Sequence, residues 1–220
     1  MHSNQIMHRD LKTSNLLYSN EGVMKVCDFG LARKQTRSAV YTNWVVTLWY
    51  RAPELLLGTK NYSEKIDIWS IGCIFAELIL REPLMAGKNE MDQLACIFRV
   101  LGNPTDERFP AWKDLKYAGK VALNKKHNKS QLRMKFPLKS LSDEDPMFLS
   151  NEGHDLMQQM FAYDASKRIS AAEALKHPWF QEDPKPATEM PSFAHSVTNE
   201  ISRDELKRKR KRSLDEKQIA

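Results

Sequence analysis

Two kinds of hydrophobic pattern divide the chain: short apolar runs typical of strands, then apolar positions at helical spacing. Residues 16–18 and 23–26 are apolar-rich runs on either side of a polar turn at 19–22, which predicts a β-hairpin. Further along, Ser63 is expected to cap a helix that continues to Leu80. That helix is apolar on nearly all sides, so we expect it to be buried centrally.

Three more helices are predicted after the central one. The first carries apolar residues at i, i+3, i+4 and i+7 and ends at Gly102. The second spans about 150–161, and the third opens with a capping box at 170–173 and stops before Pro178. Residues 103–149 contain four prolines and many lysines, which predicts a long irregular excursion.

The composition is that of an ordinary globular protein with a basic tail. The chain has 220 residues, 41% hydrophobic and 28% charged, so it can build a packed core. Its net charge of +6 is concentrated in residues 203–220, which hold eight Lys or Arg and four Asp or Glu. We expect residues 1–183 to fold and residues 184–220, Pro-containing and then basic, to form a disordered tail.

Six consecutive cations, Lys207–Arg212, are typical of a nuclear-import address or of a nucleic-acid contact. No aromatic residue lies within 203–220, which disfavours a base-stacking platform and direct nucleic-acid binding. We therefore expect the protein in the nucleus, with the cytoplasm as a second location. A charged end without a specific partner remains the alternative.

Cysteine usage and hydropathy indicate a reduced compartment and no membrane contact. The three cysteines form no Cys-x-x-Cys pair, which excludes a disulfide framework and a four-thiolate zinc site. The longest apolar stretch, residues 66–80, is interrupted by polar residues and is shorter than the ~20 residues that span a bilayer. The first residues also lack the apolar run of a signal peptide.

Three short motifs carry the chemistry. Residues 8–15 read His-Arg-Asp-Leu-Lys-Thr-Ser-Asn, residues 28–30 read Asp-Phe-Gly, and residues 52–54 read Ala-Pro-Glu. Their identity, order and spacing are those of the catalytic loop and activation segment of protein kinases. Over residues 1–183 the chain resembles the eukaryotic protein kinases, and it is interpreted as part of such a domain.

The resemblance implies ATP and Mg²⁺ as cofactors and assigns roles that suit phosphoryl transfer. Asp10 would accept a hydrogen bond from the substrate hydroxyl and orient it toward the γ-phosphate. Asn15 and Asp28 would be the Mg²⁺ ligands, since both offer the hard oxygen atoms that this ion prefers. Lys12 would offset the charge that develops on the phosphate.

Further family positions concern the acceptor and the nucleotide. Lys12, two residues after Asp10, is typical of serine/threonine kinases, so the expected acceptor is Ser or Thr. Thr47 resembles the threonine that hydrogen-bonds the catalytic aspartate and lysine. Leu17 corresponds to the residue beneath the adenine ring, although the residue alone could equally be core packing.

The stretch 45–58 resembles the cyclin-dependent kinases, which implies a cyclin as partner. Mitogen-activated kinases carry Thr-x-Tyr before this stretch, whereas this chain has Trp44 in the place of that tyrosine. Thr42 lies where cyclin-dependent kinases carry their activating phosphothreonine, added by an upstream kinase. A phosphate there would bring a charge of about −2, and Arg9 and Arg33 occupy two family positions that pair with it.

Substrate preference and subgroup also follow from the resemblance. Val45, Val46 and Arg51 match positions that shape a pocket for proline after the acceptor, so the expected protein substrates carry Ser-Pro or Thr-Pro. The runs 11–15 and 41–58 are most similar to PITSLRE-type and related members, which are linked to cell-cycle or transcription control.

Two further matches are expected to be structural. Glu54 and Arg168 correspond to a buried ion pair that fastens the end of the activation segment to the last helices. Asp67, at the start of the central helix, matches the carboxylate that holds the backbone of the catalytic loop. Outside the motif context, such residues would be ordinary surface charges.

The expected fold class is mainly α with a short β-hairpin, corresponding to the large lobe of the kinase fold with the small lobe absent. A Gly-rich phosphate loop, the strand lysine and its helix glutamate are not found in the sequence, so the chain alone is expected to be incomplete and inactive. The alternative hypothesis is a non-catalytic kinase lobe that acts as an interaction module. No role is predicted for a Lys-rich insertion at 113–139.

Overall fold

A computed structural model of the chain describes residues 1–19, 22–36, 41, 45–138, 148–183 and 185. The chain divides into two compact units, residues 1–17 with 25–185 and residues 18–24 with 186–220. In the second unit, the described residues turn tightly, with Ser19 N donating to Val23 O at 2.9 Å. Thr42 and the basic run at 207–212 lie outside the described residues.

Helices dominate the first unit. Its α-helices among the described residues are α1 (Pro53–Leu56), α2 (Lys65–Leu80), α3 (Glu90–Leu101), α4 (Leu132–Lys135), α5 (Asn151–Met160) and α6 (Ala171–Ala174). Short 3₁₀ helices form at His2–Asn4, Thr13–Asn15, Leu48–Tyr50, Trp112–Asp114, Ala118–Lys120 and Pro178–Gln181. The excursion predicted at 103–149 is therefore irregular but contains single helical turns.

The strands correct the expected fold class, mainly α with one short β-hairpin. The described residues contain two two-stranded sheets, one pairing β2 (Leu16–Tyr18) with β3 (Met24–Val26) and the other pairing β1 (Ile6–Met7) with β4 (Arg33–Lys34). The second pair is antiparallel and joins residues far apart in sequence. Sequence pattern missed it because two-residue strands show no alternation and their pairing is not local.

Helix α2 runs through the main hydrophobic core, as its apolar surface predicts. Trp69 is fully buried and meets Phe161 edge to face at a centroid distance of 5.1 Å. Helix α5 crosses close to Gly72, where a Cβ atom would lie 3.0 Å from the Phe161 ring. A second cluster joins α2 to α5 and α6, with members Ile68, Leu156, Met160, Ile169 and Ala174.

Helix ends follow their capping chemistry closely. Ser170 Oγ accepts a hydrogen bond from Glu173 N at 3.2 Å while Ser170 N donates to Glu173 Oε2 at 2.8 Å, which confirms the predicted capping box. Helix α3 ends before Gly102 at φ +84°, as predicted. Helix α2 begins at Lys65 rather than directly after Ser63, whose hydroxyl accepts from Lys65 N at 3.3 Å.

Among the described residues, no helix is long and apolar enough to cross a membrane.

Candidate active site

The loop that follows β1 is fastened from below by Asp67, which lies in the first turn of α2. His8 N and Arg9 N donate to the two carboxylate oxygens of Asp67 at 2.8 and 2.9 Å. His2 Nε2 lies 2.8 Å from Asp67 Oδ2. Arg9 adopts a left-handed backbone with φ 66°, which the paired amides hold in place. Asp67 is only 1% exposed. Its hydrogen bonds to His8 N and Arg9 N therefore fasten the loop to a buried position of the core helix.

Four groups converge on the Asp10 carboxylate. Lys12 Nζ lies 2.7 Å from Oδ2, and Asn15 Nδ2 lies 3.3 Å from the same oxygen. Thr47 donates to Oδ1 from its amide at 3.1 Å and from its hydroxyl at 3.0 Å. Lys12 Nζ also reaches Thr47 Oγ1 at 3.2 Å. The structure thus brings together Asp10, Lys12, Asn15 and Thr47.

These contacts keep Asp10 ionised. Burial on its own would raise the pKa of Asp10, but hydrogen bonds from Lys12 and Thr47 and the charge of Lys12 outweigh it. The pKa of Asp10 therefore lies below its ordinary value. An ionised, fixed carboxylate can accept a hydrogen bond from a hydroxyl group and set its direction.

Asn15 and Asp28 lie at the same end of the β2–β3 strand pair. Cys27 N, next to Asp28, donates to Asn15 O at 2.9 Å. Asn15 Nδ2 donates to Asp10 O at 2.8 Å, which leaves the amide Oδ1 as its cation-binding atom. Asp28 is exposed, with a left-handed φ of 62°, and Gly30 N donates to its Oδ1 at 3.3 Å.

This donor set fits Mg²⁺, which prefers a few hard oxygen ligands together with water and phosphate. Among the described residues there is no cluster of three His, Cys, Asp or Glu side chains that would form a complete protein cage for a metal. A site of this kind suits an ion that arrives with phosphate rather than one held by the protein alone. Leu17, the predicted floor for adenine, is 56% exposed.

Of the predicted phosphate-binding arginines, Arg9 is buried and Arg33 is exposed. Arg9 Nε donates to Leu31 O at 2.7 Å, and Nη1 donates to Tyr62 OH at 3.0 Å. Arg33 lies in β4 and pairs with Met7 of β1. Met7 precedes Arg9 by two residues. The strand pair therefore brings the two arginines to neighbouring positions.

The three residues predicted to shape a proline pocket form one hydrogen-bonded unit. Arg51 Nε donates to Val45 O at 2.9 Å, and Arg51 Nη2 donates to Val46 O at 3.0 Å. Val46 has φ 67°, a left-handed conformation that a β-branched residue adopts only under constraint. The Arg51 fork supplies that constraint by holding both carbonyl groups.

Glu54 and Arg168 form a bidentate buried ion pair. The two nitrogen–oxygen distances are 2.9 and 3.1 Å, and the exposed fractions of the side chains are 9% for Glu54 and 0% for Arg168. Arg168 also donates to Ala162 O and Lys65 O and lies over the Trp69 ring. The pair ties α1 to the segment before α6.

The structure also reveals site residues that the sequence reasoning missed. Thr13 Oγ1 donates to Glu77 Oε1 at 3.0 Å, and Tyr50 OH donates to Glu77 Oε2 at 2.7 Å. Burial and Glu77 raise the pKa of Tyr50 to about 12. This link joins the loop, the Ala-Pro-Glu segment and α2. The one signal in the sequence was a second carboxylate, Glu77, ten residues after Asp67 within the same apolar helix.

Comparison with known proteins places the chain in context. The sequence model of the protein kinase domain matches residues 1–180. Cyclin-dependent kinase G-2 of Oryza sativa subsp. indica is 48% identical over 206 residues, which cover 92% of this chain and 28% of that protein. Cyclin-dependent kinase 11B of Homo sapiens is 46% identical over 187 residues, 84% of this chain and 22% of that protein.

A solved structure gives the same result. The crystal structure of the yeast RNA Pol II CTD kinase CTDK-1 complex contains a chain that is 38% identical, with a TM-score of 0.74 over 84% of this chain and 59% of that one. The likeness to cyclin-dependent kinases is thereby confirmed, and the PITSLRE-like assignment fits the match to kinase 11B. The chain spans less than a third of the rice and human relatives.

These matches correct the fold class in a second respect. The expectation was a large lobe alone, with the small lobe absent. The kinase-domain match runs from residue 1 to residue 180, and the rice relative aligns over 92% of the chain. The chain is therefore described as protein kinase domain, and the restriction to a single lobe is withdrawn.

Proposed function

The chain belongs to the protein kinase family, and from this premise we propose that the protein containing it transfers the γ-phosphate of ATP to serine or threonine in other proteins. The observation that carries the proposal is the Asp10 carboxylate, held ionised by Lys12 and Thr47 with Asn15 beside it. A fixed carboxylate, a neighbouring lysine and two oxygen ligands for Mg²⁺ are groups that phosphoryl transfer uses.

In the proposed mechanism, the chain positions groups and stabilises charge. Asp10 accepts the hydrogen bond of the substrate hydroxyl, orients its oxygen and takes the proton late in the transfer. Lys12, already 2.7 Å from Asp10, stabilises negative charge on the phosphate side. Asn15 Oδ1 and Asp28 would hold Mg²⁺, which, when bound, neutralises the charge of the phosphate oxygens.

We propose that the substrates carry proline directly after the acceptor. Arg51 already donates to the carbonyl oxygens of Val45 and Val46, so these are less available to accept a hydrogen bond from a substrate backbone amide. Proline is the one residue without a backbone N–H group, so it loses no hydrogen bond at this position. Other residues would leave a donor unpaired on binding.

The test uses the full-length protein, ATP, Mg²⁺ and peptides that differ only in Ser-Pro against Ser-Ala. We expect phosphorylation of the Ser-Pro peptide and at least about tenfold lower kcat/KM for Ser-Ala. Asp28→Asn should abolish transfer with the fold unchanged, whereas Asp114→Asn, an exposed aspartate outside the site, should match the wild type. Equal rates on both peptides would remove the proline assignment.

A non-catalytic interaction module remains the second candidate function. The feature that favours it is the sequence itself, which contains no Gly-x-Gly-x-x-Gly to cover the phosphates. We accordingly propose that the 220 residues tested alone are inactive. If the full-length protein also fails to phosphorylate any Ser-Pro peptide while binding its partners normally, the interaction module is the better description.

Regulation is proposed on the same resemblance. A cyclin would bind the full-length protein, and an upstream kinase would phosphorylate Thr42, whose phosphate would pair with Arg9 and Arg33. Thr42→Ala should lower activity by leaving both arginines without that phosphate. Activity of Thr42→Ala equal to the wild type in the presence of cyclin would contradict the role of Thr42.

We also propose that Lys207–Arg212 directs the protein to the nucleus. The measurement is the distribution of a cytosolic fluorescent reporter fused to residues 203–220, against the same fusion with the six cations changed to glutamine. Nuclear accumulation that disappears in the glutamine fusion supports the proposal, and a reporter that stays cytosolic refutes it.

A further inference from the structure

The Lys-rich insertion at 113–139 carries a concentrated positive surface with no assigned role. Its described part, residues 113–138, presents seven exposed lysines and contains a single acidic residue, Asp114. The lysines are Lys113, Lys116, Lys120, Lys125, Lys126, Lys129 and Lys135. Met134, 79% exposed, and Leu123, 45% exposed, add apolar side chains to the same segment.

This charge is largely uncompensated within the part of the chain that the structure describes. Of the seven lysines, only Lys113 has a carboxylate partner there, Asp106, at 2.8 Å. Lys116 and Lys120 lie over the Tyr117 ring at 4.9 and 5.3 Å from its centroid. The described part of the insertion therefore carries an excess of positive charge, which attracts anions.

The insertion is fixed to the helical body. Tyr117 N donates to Leu57 O at 3.1 Å, just after α1. Gln131 N donates to Val100 O at 2.7 Å, and Asn103 N donates to His127 O at 2.6 Å, both near the end of α3. A surface held by backbone bonds on both sides is preorganised, so a ligand does not have to order it on binding.

An adjoining cavity of about 320 Å³ opens where the insertion meets the body. Its walls combine apolar side chains, among them Leu55, Leu56 and Met91, with Lys120 and the ion pair of Arg51 and Glu90, whose charges offset each other at 3.4 Å. A cavity with this lining suits one apolar side chain whose neighbours are acidic.

We propose that the insertion and this cavity form a docking site for an acidic segment of another protein, with one apolar side chain of that segment in the cavity. Charge complementarity selects the acidic segment, and Leu55, Leu56 and Met91 select the apolar side chain. The cavity shares Arg51 with the proposed proline pocket, but none of the residues around the Asp10 carboxylate lines it, and the proposal does not depend on phosphoryl transfer.

The observations favour a protein over a nucleic acid. An aromatic face that could stack on bases is lacking in the described part of the insertion. The Tyr117 ring is half-buried, with Lys116 and Lys120 over it and a Cβ atom on Gly58 only 2.9 Å away, and Phe136 is fully buried. RNA binding is therefore a competing outcome of the test.

The probe is a fluorescein-labelled peptide of alternating Asp and Glu with one central Leu, titrated with the full chain by fluorescence anisotropy. Two further peptides replace the central Leu by Ser or all acidic residues by Asn and Gln. A poly(U) oligonucleotide of equal charge is the third probe. We expect the acidic Leu peptide to bind tightest and its affinity to fall as salt rises.

Charge-reversal variants locate the site on the chain. Lys116→Glu with Lys120→Glu should weaken the acidic Leu peptide by about tenfold, because two exposed attractions become repulsions beside the cavity. The matched control, Lys167→Glu with Lys176→Glu, changes the same charge at exposed lysines outside the insertion and should leave affinity within about twofold. All four positions are exposed, so both variants should fold.

Each result decides the proposal. An equal loss in both variants means that only net charge matters and overturns it. Tighter binding of poly(U) than of the peptide overturns it in favour of RNA. Equal affinity for the Leu and Ser peptides removes the cavity from the proposal. Loss confined to Lys116→Glu with Lys120→Glu, together with a weaker Ser peptide, supports it.

Discussion

At the scale of single residues, the site is governed by how many donors meet the Asp10 carboxylate. Its two oxygen atoms receive hydrogen bonds from the ammonium group of Lys12, the amide of Asn15, and the backbone and hydroxyl of Thr47. A carboxylate with this many donors stays charged although it is buried, and its orientation is fixed. The arrangement leaves Asp10 suited to orientation more than to strong general-base catalysis, since its pKa is lowered.

Asp10→Asn in the full-length protein should lower kcat by about 10²–10⁴, because the amide cannot accept the proton and can turn an NH₂ group toward the hydroxyl. The KM for ATP should change by less than about threefold, since Asp10 faces the acceptor. Steady-state kinetics on a Ser-Pro peptide measure both values. A kcat within tenfold of the wild type would mean that Asp10 is not the orienting carboxylate.

Thr47→Val should shift the acidic limb of the kcat/KM profile to higher pH. The Thr47 hydroxyl hydrogen bond favours the charged form of Asp10, so its removal raises the pKa of Asp10. Protonated Asp10 cannot orient the acceptor, and activity is therefore lost at a higher pH during acidification. The pH–rate profile is compared with that of Thr59→Val, whose hydroxyl bonds Asn61 O instead. Superimposable profiles of Thr47→Val and wild type would refute the link.

Sequence reasoning named Asp10, Lys12 and Asn15 from the catalytic-loop motif at residues 8–15, and Thr47 from the resemblance to protein kinases. The structure finds those four in mutual contact. Sequence reasoning could not name Glu77, because its partners Thr13 and Tyr50 come from the loop after β1 and from the 3₁₀ helix Leu48–Tyr50. Such a network depends on tertiary packing, which periodicity does not encode.

At the scale of elements, the fold depends on long-range polar ties between helices and loops. Glu54 of α1 and Arg168 before α6 are 114 residues apart and form two hydrogen bonds in a buried site. Glu54→Gln should lower the free energy of unfolding by about 3–5 kcal/mol, because the Arg168 charge would stay buried without its carboxylate. Urea denaturation followed by circular dichroism measures this loss.

The control for Glu54 is the exposed ion pair between Lys113 and Asp106, with exposed fractions of 63% and 69%. Solvent screens that pair, so Asp106→Asn should cost no more than about 1 kcal/mol. Similar losses in the two variants would contradict a burial-dependent role of the Glu54–Arg168 pair.

Helices were more predictable than strands for a physical reason. The ends of α3, α5 and α6 follow local capping signals, such as Ser150, whose hydroxyl accepts from Gly153 N at 3.0 Å. The β1–β4 pair follows no local signal, because Met7 meets Arg33 only after the intervening chain has folded. Local chemistry fixes where a helix ends, whereas the pairing of short strands needs the whole fold.

At the scale of the whole chain, the nucleotide-facing positions are open. Leu17, the predicted adenine floor, is 56% exposed, and Asp28, the predicted Mg²⁺ ligand, is exposed as well. Tight nucleotide sites bury about 70–90% of the ligand surface, and they place charges in surroundings of low dielectric constant. The described residues would thus leave a nucleotide that rests on Leu17 largely open to water.

The isolated chain should therefore bind ATP with Mg²⁺ only weakly, with a Kd above about 1 mM, although Asp10, Asn15 and Asp28 are all present. A longer polypeptide that contains the chain and covers that open face should bind at least about a hundredfold more tightly. Isothermal titration calorimetry on both proteins, with Asp28→Asn as the control for specific binding, measures the difference. A micromolar Kd for the isolated chain, lost in Asp28→Asn, would show that the described residues enclose the nucleotide by themselves. Lys12, Asn15 and Asp28 would then act on the bound nucleotide without any additional protein to exclude water from the site.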